Sequence, residues 1–174
     1  MIGNHRSELV LAIHPFARGY SFTLFEGPLS PVDWGIKEVL GAKRNARCLA
    51  AARTLIERAR PGVVVFEDLS HSSAKRSRRI KRLQSLIVNY VSGQSIELRH
   101  YGRDLIRACF GNVGAVTRYE IAQAIAAQLP AFEGKLPRAR KVWESEDPRI
   151  ALFNAASVAL THYYSAGLAN DENR

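Results

Sequence analysis

Cysteine is scarce. Only Cys48 and Cys109 occur in 174 residues. Their contexts, NARCLAAA and LIRACFG, read as apolar helix positions, so neither a disulfide framework nor a zinc cluster is expected. Long apolar runs are missing too. No stretch approaches the roughly eighteen residues that suggest a membrane-crossing helix, and MIGNHRSELVLAI lacks the apolar core of a signal peptide. A soluble, cytoplasmic protein with no membrane partner is the expectation. No internal repeat and no low-complexity tract appears. Acid is also in short supply: 16 Asp and Glu stand against 25 Lys and Arg, a net charge of +9. That surplus favours polyanionic partners and makes nucleic acid the leading class, while saying nothing about fold.

What is present is ordinary for a globular chain. Hydrophobic residues make up 47% and charged residues 24%, enough for one packed core over 1–174, with LANDENR (168–174) expected as a frayed tail. Residues 8–14 (ELVLAIH) form a short apolar run that Pro15 is expected to end. Residues 19–26 (GYSFTLFE) alternate large apolar and small polar side chains, the period of a strand, and 32–39 (VDWGIKEV) supplies a third strand. From Asn45 to Arg60 apolar positions recur at helical spacing until Pro61-Gly62. VVVFEDL (63–69) is a continuous apolar run bounded by Gly62 and Ser70, as a strand buried on both faces reads, and belongs in the middle of a sheet. A basic helix (74–92), a short strand SIELRH (95–100), helices at 102–109 and 117–128, a loop marked by Pro130, Gly134 and Pro137, and a closing helix at 147–167 complete the pattern. The order is βββαβαβα followed by more helix.

Several residues carry two readings. His14, at the end of a strand, is either a hydrogen-bonded structural histidine or a ligand. Glu67 ends an apolar strand and could simply face solvent. Asp147 precedes Pro148 at a helix start, where an acid is favoured by the helix dipole in any case. Asn154, seven residues on, is either a satisfied core amide or part of a site. Lys75, Arg76, Arg78, Arg79, Lys81 and Arg82 place six like charges in eight positions. Such a run is either a solvated face or a phosphate contact, and the mutual repulsion favours phosphate. Lys135, Arg138, Arg140 and Lys141 form a second basic cluster beside Trp143, and Arg118 joins the candidate nucleic-acid contacts. The glycines of FGNVGAVTRYE lack the spacing of a phosphate-binding loop, so a plain helix cap near Thr117 is expected.

Three segments, AIHPFARGYSF, VVVFED and WESEDPRIALFNAASVALTHYY, together resemble the ribonuclease H-like fold and, within it, the RuvC-like Holliday-junction resolvases. The likeness spans roughly residues 8–165. It implies an α/β fold with a mixed five-stranded sheet, three antiparallel strands then parallel ones, flanked by helices. It also implies two-metal hydrolysis by carboxylates, DNA as partner, branched DNA included, and action as a homodimer. Carried over by position, the strand Glu falls on Glu67 and matches. The first-strand Asp falls on His14 and the helical Asp on Asn154, and neither matches. Glu67 with Glu146 or Asp147 would supply the remaining negative charge, and Glu67 and Asp147 are the candidate metal ligands.

The first expectation is therefore a nucleic-acid-binding RuvC-like protein with an impaired nuclease centre and no metal. The second is an active endonuclease holding Mg²⁺ or Mn²⁺ through Glu67, Glu146, Asp147 and a neighbour such as Asp33, with His14 as a nitrogen ligand. The third is a scaffold or assembly protein of a mobile element.

Overall fold

The structure, a computed structural model, describes residues 8–70 and 78–171. Three antiparallel strands, β1 (Val10–Phe16), β2 (Gly19–Gly27) and β3 (Ser30–Glu38), lead into helix α1 (Arg44–Ala59). Strand β4 (Val63–Glu67), helix α2 (Arg78–Ser92) and strand β5 (Glu97–Tyr101) follow, then α3 (Arg103–Gly111), α4 (Arg118–Gln128), the short α5 (Pro130–Glu133) and α6 (Arg149–Asp171). The sheet order is β3-β2-β1-β4-β5, with β1 parallel to β4 and β4 parallel to β5. The expected α/β architecture with a mixed five-stranded sheet is what the chain adopts. β4 is interior, as its apolar run requires, but β1 is the central strand.

Alternation along the strands explains why both inner strands read as unbroken apolar runs. Val10 and Ala12 of β1, with Val63 and Val65 of β4, face a core completed by α3, α4 and α6. Leu11 and Ile13, with Val64 and Phe66, face the opposite core under α1 and α2. Both faces are covered, so every position is apolar. α6 is the most apolar helix: its residues from Ile150 to Thr161 are all buried. Emptying one such position, as in Phe153→Ala, costs about 3–5 kcal/mol through lost transfer energy and a cavity.

Three local expectations change. β1 continues through Pro15, which pairs with Tyr20. The parallel register with β4 ends at Ala12 and Val65, so beyond it a residue without an N–H leaves no ladder bond unmade on that edge. The breaker-rich loop contains α5, with Pro130 opening the helix where a missing N–H costs nothing. α6 runs to Asp171, into the stretch expected to fray, and 172–174 lie outside the described residues. The first hairpin depends on Gly19: at φ 156° it lies so close to β3 that a Cβ would sit 1.9 Å from the Lys37 carbonyl oxygen. Cys48 and Cys109 are both free. Among the described residues, no helix is long and apolar enough to cross a membrane.

Candidate functional site

The parallel register between β1 and β4 decides where His14 and Glu67 point. Ala12 is paired with Val65. Two residues further along each strand, the same alternation turns His14 and Glu67 towards the α6 side. Both are buried, Glu67 at 4% exposure. His14 Nδ1 lies 3.8 Å from Glu67 Oε2. The end of β4 is fixed from the other face by α2, where Gln84 Nε2 donates to the Glu67 carbonyl oxygen at 3.0 Å.

The Glu67 carboxylate is held by Arg118. Nη2 donates to Oε1 at 3.0 Å and Nη1 approaches Oε2 at 3.4 Å, a two-pronged contact between planar groups. Arg118 is the first residue of α4, and its place is set by a reciprocal cap. Thr117 Oγ1 accepts from the Glu120 N–H, while Glu120 Oε2 accepts from the N–H groups of Thr117 and Val116. These bonds, the Thr117 N–H first, hold the Glu120 carboxyl below the usual carboxylate range. The plain cap expected near Thr117 is therefore present, and it also aims a guanidinium at a buried acid.

His14, Arg118, Glu146, Asp147 and Asn154 line one cleft of about 270 Å³ at the carboxyl end of β1. α6 is tied down there by the Ser21 hydroxyl of β2, which donates to the Ala151 carbonyl. Glu146 is exposed at the lip. Asp147 lies two residues before α6, its carboxylate accepting from the Arg149 N–H at 2.9 Å and from Arg149 Nη2 at 2.7 Å. The Arg149 guanidinium holds the Asp147 carboxyl below its ordinary range.

This donor set does not fit a pair of hard divalent cations. Mg²⁺ requires several oxygen ligands in near-octahedral array, and the buried carboxylate already carries a guanidinium, while Asp147 is engaged by Arg149. No group of three or more His, Cys, Asp or Glu side chains among the described residues is arranged to hold a metal. Glu67 and Asp147, the expected metal ligands, each face a cation of the chain, Arg118 and Arg149. Asp33 is paired as well. It lies on the edge strand β3, bonded to Arg58 of α1 at 2.9 Å.

The candidate nucleic-acid contacts divide. Arg118 is engaged by its bond to Glu67 and half-buried. Arg79 donates to the Ala17 carbonyl, and its own carbonyl accepts from Asn45. Arg78, Lys81 and Arg82 are exposed on α2, and Lys75 and Arg76 lie outside the described residues. Arg138 is bonded to Glu144 at 2.6 and 3.1 Å, Arg140 reaches the Glu144 carbonyl at 3.4 Å, and Lys141 sits over Trp143. The partnership of Arg118 with Glu67, 51 residues apart, and the anchors Gln84 and Ser21 escape a sequence reading. Thr117-x-x-Glu120 marks the helix start, but nothing local says what its first residue faces.

No protein-family model and no curated protein matches this chain. Solved structures do. Thermus thermophilus RuvC superposes on 92% of this chain and 96% of its own, with a TM-score of 0.68 and 16% identity. The chain has the RuvC fold. The yeast mitochondrial Holliday junction resolvase matches at TM-score 0.62 and 15% identity, over 96% of this chain and 82% of its own. The fowlpox virus Holliday junction resolvase matches at 0.52 and 14%, over 90% and 99%. At these identities the likeness is one of fold. Within the RuvC fold, this chain sets an imidazole, an amide and a guanidinium bonded to the buried Glu67 around one cleft.

Proposed function

We propose that this protein binds DNA, branched DNA included, with a RuvC-like domain whose nuclease centre is disabled. The observation that carries this reading is the Glu67–Arg118 contact: a carboxylate at 4% exposure whose two oxygens face a guanidinium at 3.0 and 3.4 Å. A dication approaching Glu67 would meet a fixed positive charge within a few ångströms, and their repulsion in a site of reduced dielectric is large. His14 adds a nitrogen and Asn154 a neutral oxygen, so neither restores the missing negative charge.

DNA as the partner is supported by the net charge of +9 and the exposed cations of α2, and by the fold of T. thermophilus RuvC, which has been solved with a Holliday junction substrate. A four-way junction is two-fold symmetric, and a pair of copies of this chain would match it. The test is purified protein on a synthetic four-way junction with Mg²⁺ or Mn²⁺. Salt-sensitive binding without cleavage is expected. Cleavage that Glu67→Ala abolishes would overturn the disabled centre and support the active enzyme with an atypical ligand set, in which Glu146 and Asp147 at the lip take part. Absence of any DNA binding would leave the scaffold.

A further inference from the structure

Trp143 is 80% exposed and its neighbour Val142 is 96% exposed. They form the tip of a turn that is pinned from within. The Glu144 N–H donates to the Lys141 carbonyl at 3.0 Å, and the Glu144 carboxylate accepts from the Lys141 N–H at 3.0 Å and from the Arg138 guanidinium. Arg140 reaches the Glu144 carbonyl from the other side. The chain is able to pack a tryptophan: Trp34, partly buried, lies on Phe132 at 5.2 Å between ring centroids. Among the described residues Trp143 instead has Lys141 Nζ as its ring partner, 5.4 Å from the ring centroid, and the ring is largely open to solvent.

The turn also stands next to the cleft. Arg138 and Arg140 line a second hollow, of about 480 Å³, whose walls include Arg118, Glu146 and Asp147 of the cleft itself. A strand of nucleic acid following that hollow would pass the turn with its phosphates beside Arg138, Arg140 and Lys141. Trp143, three residues along the chain from Arg140, would offer its bases an exposed indole face. Two exposed apolar side chains beside Lys141 are far too small for a protein interface, which buries roughly 800 Å² per partner. They fit a flat, aromatic group on an anionic backbone. From this geometry we infer that Trp143 is a stacking platform for an unpaired nucleobase, held at the mouth of the cleft by the Glu144-pinned turn. The inference rests on the DNA-binding reading and adds to it a preference for unpaired bases, since bases within a duplex are already stacked on one another.

The sequence holds two tryptophans, so intrinsic fluorescence reports on this site against one packed background residue. The parent and the Trp143→Ala and Trp143→Phe variants are titrated with single-stranded oligothymidylate, a four-way junction and a blunt duplex, with circular dichroism to confirm folding and sedimentation to give the mass. Oligothymidylate is expected to quench the parent. Trp143→Ala should remove the quench and weaken single-strand and junction binding roughly 5- to 100-fold, the range for one lost base stack, with duplex affinity held within about twofold. Trp143→Phe should recover most of the affinity without the quench. Parent binding that is unquenched at saturation, or unchanged by Trp143→Ala on every DNA, overturns the platform and leaves the DNA-binding reading standing. A parent that binds none of the three overturns both. Loss of a dimer in Trp143→Ala with DNA affinity unchanged overturns the platform in favour of a contact between copies.

Discussion

Arg118, which lines the cleft, and the cations of α2, which flank its wall residue Ile80 in the sequence, belong to different regimes. Arg118 enters from α4 and meets a carboxylate that water scarcely reaches. Arg78, Lys81 and Arg82 stand exposed on α2, whose Ile80 lines the cleft wall, and they make no ion pair with a described residue. A charge set against a buried partner is part of the fold, because removing it strands the partner. A charge in solvent adds little to stability and is available to a ligand. The count of basic residues in the sequence cannot separate these two roles.

The largest effect should come from breaking the buried side of this contrast. Arg118→Ala takes the two-pronged guanidinium contact away from the buried Glu67 carboxylate, and urea denaturation should show a loss of about 3 kcal/mol, the lower part of the range because Arg118 itself keeps some water. Glu67→Gln in that background should recover much of the loss, since the stranded charge is gone. An Arg118→Ala variant as stable as the parent would put Arg118 in the solvent class.

On the exposed side, replacing Arg78, Lys81 and Arg82 with Gln should leave stability within about 0.5 kcal/mol. The slope of log affinity against log salt on a junction should become shallower by about 2–3, one phosphate contact per residue. Arg79 is left out because its bond to Ala17 makes it structural. An unchanged slope would make the α2 face a solvated surface.

A metal sharpens the comparison further. His14→Asp with Asn154→Asp adds carboxylates to the cleft, but Arg118 is already there to neutralise them, so Mg²⁺ should scarcely move the melting temperature of that double variant. Adding Arg118→Ala should produce a metal-dependent rise of several degrees, by mass action on the folded state. A Mg²⁺-dependent rise in the parent that Glu67→Ala removes would contradict the disabled centre.

The smallest effect concerns the lip. Arg149 lowers the Asp147 carboxyl below its unfolded value, so the unfolded chain takes up the proton first as pH falls. The stability this pair contributes is present above the unfolded pKa, near 3.8, and is lost as pH drops through the lower folded value. Being half-exposed, the pair should change the acid limb of a denaturation curve only slightly, and Asp147→Asn should flatten that limb there.

Local pattern was enough to place most of the fold. β4 is legible because a strand covered on both faces has no polar positions to interrupt it, and α1 because Cys48, Ala52, Leu55 and Ile56 recur on one face. Pro15 misleads because a proline reads as a stop unless the pairing on its edge is known, and PAFE is too short to declare itself a helix. His14, Glu67 and Asn154 can be singled out by family resemblance. The ion pairs that determine what those residues can do are tertiary. Asp33 shows the same limit: an acid two strands from β1 in the sheet looks, in the sequence, as available as one at the cleft.

The placement of α6 bears on how the chain is made. This helix covers the sheet face formed by Val10, Ala12, Phe25, Val63 and Val65, and its first residue is translated about 50 residues after the last strand, β5, an interval on the order of 2–10 s at ribosomal speeds. For that time the nascent chain can form all of its strands, but one apolar face has no α6 to close it. Amino-terminal fragments that stop before Arg149 should therefore be recovered as aggregates or bound to chaperones, and the native sheet should become protected from proteolysis only once α6 has left the exit tunnel.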